Sequence, residues 1–323
     1  MVNGSALGIF VARNVSRRVV TGNAGMVIET TLANAQITWR TAGTFTKLYV
    51  RVITNTIDTG NTTVTLRFNN VAKTNTVTIG PGATGEFETA AQADVVAVGD
   101  EVHYEIITGT SSTVGHGITF SIFAILFEPT ATTDTAVRHV ATNFSDLSDG
   151  STTYHTLSDA VSGASVTEAS SEVRLAAAAT MKNMFTYVSA NGPGATINLR
   201  KNGVNAGPNI VYLTGTTGIL EDIDSTAVYA AADDANYSVV SNIGTSFTLE
   251  IISIEEVSTA KKFHSTYARL SAGMGSQAFN TVKYVPIGGG GQQAGPEADV
   301  KADMNIAATV ANLTCYLLTD TIT

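Results

Sequence analysis

Along most of this chain, apolar and polar positions alternate with a period of two, which marks half-buried β-strands. The run 45–53 places Leu48, Val50 and Val52 on one face and Lys47, Tyr49 and Arg51 on the other. Further strands are expected at 26–28, 35–39, 63–68, 76–79 and 102–107, and the most apolar at 118–127. Asn69-Asn70 is read as a tight turn, and Asn202-Gly203 is its counterpart later in the chain. Asn-Gly between alternating runs is the strongest short-range hairpin signal. Val98-Gly99-Asp100-Glu101 reads as a second turn. Of two segments with helical character, Ala-rich 175–183 is read as strand and 224–232 as loop or strand.

The chain writes this pattern more than once. At an offset of 133 residues, Leu66-Arg67 falls on Leu199-Arg200, Asn69 on Asn202, Val71 on Val204 and Gly85 on Gly218. Glu88 falls on Glu221, Asp100 on Asp233 and Tyr104 on Tyr237. The final apolar strand recurs from Phe247 at an offset of 129, and 42–55 recurs at 178–191 at an offset of 136. The opening strands occur a third time. Ala178-Ala179-Thr180 returns as Ala307-Ala308-Thr309, Tyr187 as Tyr316, and Tyr154-His155-Thr156-Leu157 as Phe279-Asn280-Thr281-Val282. Phe144, Leu147 and Gly150 return as Tyr267, Leu270 and Gly273.

The expected class is all-β: tandem antiparallel β-sandwich or jelly-roll modules, the last one incomplete. The expected organisation is an N-terminal arm with lead-in strands (1–30), module one (31–130), module two (131–258) and a half module (259–323). The half module leaves three readings open: packing against module two, completion by strands of another chain, or a natural protein that continues further.

Composition narrows the function. Charged residues make up 14% and the formal net charge is −9. A typical soluble domain has about 25% charged residues. An acidic chain lacks the basic field that collects phosphates, so no nucleic-acid partner is expected. The single cysteine, Cys315, permits no internal disulfide and reads as a buried small hydrophobe. No basic segment precedes a long apolar run at the N-terminus. No window approaches the ~20 apolar residues that span a bilayer, so neither an export signal nor a membrane partner is expected.

Candidate chemistry is sparse. The histidines (His103, His116, His139, His155 and His264) have no metal-ligand spacing and read as surface groups. No nucleophile elbow, P-loop or dinucleotide fingerprint occurs, so no catalytic residue and no cofactor is expected. Glycines 288–291 read as a flexible loop. The acidic group Glu221, Asp222, Asp224 and Asp233 offers the oxygens a calcium ion takes; the competing reading is turn capping. Trp39 and the other aromatics read as core, with a glycan-binding face as the alternative.

The hairpin Ile197-Asn198-Leu199-Arg200-Lys201-Asn202-Gly203, its partner Thr63-Val64-Thr65-Leu66-Arg67, and the turn Val98-Gly99-Asp100 resemble a known repeat. It is similar to the jelly-roll modules, of tumour-necrosis-factor-like fold, in tailed-phage virion proteins and bacterial surface proteins. The resemblance covers most of residues 35–257, and the second copy departs from it at Ala232, where glycine is lost. It implies a non-enzymatic, often trimeric protein that decorates capsids, builds fibres or binds receptors. The expected function is therefore structural: a phage head decoration, spike or fibre component. Its partners would be copies of itself in a trimer or polymer, other virion subunits and a host-surface glycan. The expected location is the virion, assembled in host cytoplasm. The alternatives are an extracellular filament or adhesin subunit polymerising by strand complementation, and a carbohydrate-binding module.

Overall fold

The computed structural model describes residues 2–20, 30, 32, 35–130, 136–143, 146–147, 150–157, 166–175, 177–243 and 247–258. The expected strand at 26–28 and the third copy at 259–323, with His264, Cys315 and the glycine run, lie outside the described residues.

The first ten strands are β1 (Val2–Ala12), β2 (Ser16–Val20), β3 (Ile37–Thr38), β4 (Gly43–Asn55), β5 (Thr62–Phe68), β6 (Val71–Ile79), β7 (Gly85–Glu88), β8 (Asp94–Val96), β9 (Glu101–Ile107) and β10 (Gly117–Pro129). One sheet has the order β1-β10-β4-β7, with β8 also on β4; the other has β2-β9-β5-β6, with β3 also on β9. The second ten are β11 (Ala136–Asn143), β12 (Asp146–Leu147), β13 (Thr152–His155), β14 (Val173–Arg174), β15 (Ala179–Asn191), β16 (Ala195–Lys201), β17 (Val204–Tyr212), β18 (Gly218–Tyr229), β19 (Asp234–Ser241) and β20 (Phe247–Ser258). They repeat the plan as β11-β20-β15-β18, with β12 on β20, and β13-β19-β16-β17, with β14 on β19. All pairings are antiparallel. In each sandwich the chain crosses repeatedly between two antiparallel sheets, and in each sheet one of the two central strands is a late one: β10 and β9 in the first sandwich, β20 and β19 in the second. The lead-in residues supply β1 and β2, the outer strands of the first sandwich's two sheets. The segment 224–232, left between loop and strand by its sequence, falls largely within β18.

Each sandwich closes over its own core. In the first, Trp39 is fully buried, with its ring 4.9 Å from Phe45 and 5.0 Å from Phe127. In the second, Leu199, Tyr229, Tyr237 and Phe247 are fully buried. The central strands depart from simple alternation at one point. In β10, Phe120 faces Val52 and Ile122 faces Arg51, so Ser121 is an extra residue. Ile118 and Phe120 point inward before it; Phe123, Ile125 and Phe127 do so after it. Strand β20 repeats the device: Leu249 faces Val188 and Ile251 faces Tyr187, leaving Glu250 extra. Phe247 and Leu249, then Ile252 and Ile254, enter the core. A β-bulge bends and twists a strand without ending it. Here it also reverses which parity faces the core.

The tight turns match their sequences. Asn69 and Asn70 have φ of 49° and 62°, and Asn202 and Gly203 have 49° and 79°. Positive φ at both central positions is the hairpin geometry that Asn and Gly favour.

Candidate assembly surface

The acidic residues disperse into separate duties. Asp233 belongs to a clamp present in both copies. Asn202 Nδ2 donates to Asp233 Oδ1 at 2.7 Å, the Asp234 N–H donates to Asn202 Oδ1, and the Ala230 N–H donates to Asp233 Oδ2. In the first copy the same bonds join Asn69 to Asp100, the Glu101 N–H to Asn69 and the Ala97 N–H to Asp100. Hydrogen bonds from the Asn202 amide and Lys201, with the Ala230 N–H, hold the Asp233 carboxyl down at about 2. Asp222 caps a protrusion of β18: Lys182 faces Thr226 and Met184 faces Asp222, so 223–225 bulge outward. Burial disfavours its charge, but N–H groups of Asn209 and Ser225 outweigh that and keep the carboxyl below the usual range. Asp224 lies in this bulge and donates its N–H to Asp222. Glu221 pairs with Arg40 of the first sandwich. Among the described residues, no group of three or more His, Cys, Asp or Glu is placed to hold a metal ion.

The expectation of surface histidines is corrected at two positions. His103 on β9 is fully buried, and His155 on β13 is nearly so, with Nε2 3.0 Å from Thr153 Oγ1. His103 points away from the core by strand parity, between buried Val102 and Tyr104. Its surroundings nevertheless exclude water. Burial, then the Arg18 and Arg67 charges, lower it to about 4, so it is neutral at pH 7. The alternation of β9 gives no sign that its outer face is covered. The equivalent residue, Asn236 on β19, is also fully buried.

The sandwiches meet through the outer face of the β11-β20-β15-β18 sheet. Phe185 on β15 and Ile251 on β20 join the buried cluster of the first sandwich, with Tyr187 at its margin. Glu255 is almost wholly buried at this junction. It accepts from Thr41 Oγ1 at 2.8 Å and Asn183 Nδ2 at 2.6 Å, with Lys182 Nζ at 3.5 Å. The sequence did not reveal this junction, because it joins residues more than 200 apart (Thr41 and Glu255).

The copies agree in core and turns and differ outside. Where the first carries Thr78, Gly80, Glu86 and Ala90, the second carries Val211, Leu213, Ile219 and Ile223. All four are substantially exposed, from 39% at Ile219 to 72% at Leu213. They lie on or beside β17 and β18, each an edge strand of its sheet. A long edge strand with apolar side chains is a surface prone to association. In the first copy the matching edge is broken into short β7 and β8 and carries Glu86 and Glu88, paired with Arg51 and Lys47.

No helix among the described residues is long and apolar enough to cross a membrane. No family model matches the chain, and no curated protein matches it. Among solved structures, it is similar to the crystal structure of the infectious bursal disease virus VP2 subviral particle, at 11% identity and a TM-score of 0.23, over 78% of this chain and 70% of that one. A similar likeness, with the same identity and TM-score, is to T=1 particles of the D431N mutant of that VP2 protein, over 78% and 68% of the two chains.

Proposed function

We propose that the chain is a non-enzymatic structural subunit of a virus particle, a head decoration, spike or fibre component that assembles through its β-rich faces. The observation that carries this reading is the divergence of the copies. A conserved sandwich is used twice, and in the second use four outward positions have become apolar along a free edge. Apolar residues gathered on one side of an otherwise well-formed domain mark an association surface. A charged fraction of 14% agrees with a chain much of whose surface is covered by neighbours. The hairpin and turn motifs of the sequence resemble those of phage virion modules, and on that resemblance the virion, assembled in host cytoplasm, is the preferred location.

Light scattering with negative-stain images tests the reading. A discrete oligomer, or a lattice of regular spacing, supports it. A chain that stays monomeric at high concentration and turns over a substrate overturns it. Open-ended filaments would favour the second reading, an extracellular filament or adhesin subunit.

A further inference from the structure

We propose that the β17–β18 side of the second sandwich binds the same side of a second copy of this chain, in a two-fold contact centred on Ile219 and Ile223. The proposal rests on the assembly reading above and adds to it a partner, a symmetry and the residues that make the contact.

The surface continues an interface that the chain already uses. On the outer face of the β11-β20-β15-β18 sheet, one cross-strand row runs from Ile251 on β20 through Tyr187 on β15 to Ile219 on β18. Ile251 is buried in the cluster of the first sandwich, Tyr187 sits at the margin of that cluster, and Ile219 is exposed. The neighbouring row runs from Ser253 through Phe185 to Glu221, and it ends where Glu221 meets Arg40 of the first sandwich. The first sandwich therefore covers β20 and β15 and stops at β18. Past that line the apolar surface goes on. Ile223 stands in the bulge of β18, Leu213 in the turn that leads into this strand, and Val211 near the end of β17. An apolar row that begins under one domain and emerges into water keeps a driving force for association.

The makeup of this surface identifies its occupant. Other exposed aliphatic residues recur in both copies: Val71 as Val204, Val95 as Val228 and Ile107 as Val240. A partner that fits those residues meets them on both sandwiches. Val211, Leu213, Ile219 and Ile223 belong to the second copy alone, so their partner recognises the second sandwich alone. The same surface on another chain meets that demand with nothing further. Apolar groups face apolar groups, and a self-complementary contact closes at two chains. A head-to-tail contact would need a second, complementary surface. The matching edge of the first sandwich is a poor candidate, because it carries Glu86 and Glu88 in ion pairs with Arg51 and Lys47. Charge does not oppose the two-fold contact at its centre. Glu221 is paired with Arg40, and Asp222 accepts N–H groups from β17 and from its own bulge. Pro208 on β17 and the bulge on β18 work against a strand added to either edge, so side chains carry the contact.

Sedimentation velocity with light scattering on chain 1–323 tests the proposal. The variants are Ile219→Glu and Ile223→Ala, each of which restores the residue of the first copy. The expected mass of the parent is twice 33.6 kDa. Ile219→Glu sets two carboxylates against each other across the two-fold and should weaken the dimer by at least ~100-fold. Ile223→Ala removes an apolar anchor and should weaken it by roughly tenfold. Both side chains are exposed in the single chain, so thermal melts of the separated chains should match. If Ile219→Glu loses its cooperative melt, Ile223→Ala alone decides. An assembly indifferent to both variants overturns the proposal and leaves the assembly reading standing. A trimer or open polymer that Ile219→Glu disperses overturns the two-fold contact. A parent that stays monomeric at high concentration overturns the proposal, and the assembly reading falls with it only when that monomer also turns over a substrate.

Discussion

His103 and Asn236 occupy the same place in the two sandwiches, 133 residues apart, both fully buried and neither side chain with a hydrogen-bond partner among the described residues. Burying a polar group without a partner costs stability. In one copy that group also titrates.

The first sandwich should therefore be acid-labile through His103. The folded value is depressed to about 4 from the ordinary 6.5. Above pH 6.5 both states are neutral and nothing is lost. As pH falls from 6.5 towards 4, the unfolded chain takes a proton that the folded chain refuses, between the Arg18 and Arg67 charges. Stability should fall through that window by up to about 3 kcal/mol. Urea unfolding across this range checks it. His103→Asn, which installs the second copy's residue, should flatten the profile between pH 6.5 and 4. An unchanged slope would remove His103 as its source.

Ala232 should gain from becoming glycine. It has φ of 71°, where the first copy has Gly99 at 96°. An L side chain in the left-handed region costs about 1–2 kcal/mol. Ala232→Gly should raise stability by about 1 kcal/mol, and Gly99→Ala should lower it by a similar amount. A Cβ at Gly99 would meet nothing within 4 Å, so the dihedral alone sets the cost. Paired thermal melts decide this, and equal melting temperatures would contradict it.

The Asn202 clamp should be worth more than a surface turn. Asn202→Ala removes both side-chain bonds to 233–234 and leaves alanine at a φ of 49°. The expected loss is about 2 kcal/mol, with Asn69→Ala behaving alike in the first copy. Asp233 adds a pH signature. Its folded value lies near 2 against the ordinary 3.8. Its contribution is therefore complete above about pH 4 and disappears as pH falls towards 2. Comparing Asp233→Asn with the parent at pH 5 and pH 2 reads it: the difference should shrink at the lower pH.

The junction should couple the two sandwiches. Phe185 is buried among first-sandwich residues although it belongs to the second. Phe185→Ala should cost about 3–5 kcal/mol and split a single calorimetric transition into two. A loss of stability that leaves one transition would mean that the coupling runs elsewhere.

The repeat, the turns and the core alternation were legible in the sequence because each is local. Asn69-Asn70, Asn202-Gly203 and the Asp100/Asp233 turn are fixed by residues a few positions apart. Three features were not legible. The bulges at Ser121 and Glu250 reverse the core parity in mid-strand, which a strict period of two does not anticipate. The burial of His103 depends on what covers the outer face of its sheet. The contact between Thr41 and Glu255 requires two complete sandwiches before the residues meet. The acidic cluster at 221–233 looked like one site because it is compact in sequence. Folded, Glu221 faces Arg40, Asp222 caps its own bulge, and Asp233 holds a turn.

The placing of the closing strands at the centre of each sheet has a consequence during synthesis. Val2 of β1 pairs with Ile125 of β10. On a translating ribosome moving at roughly 5–20 residues per second, β1 waits on the order of 6–25 s for its neighbour. For that interval the nascent chain carries strands whose ladder partners have not yet been made. A cell making this protein in quantity would thus depend on holdase chaperones, and slower translation through residues 1–116 would lower the yield of folded product.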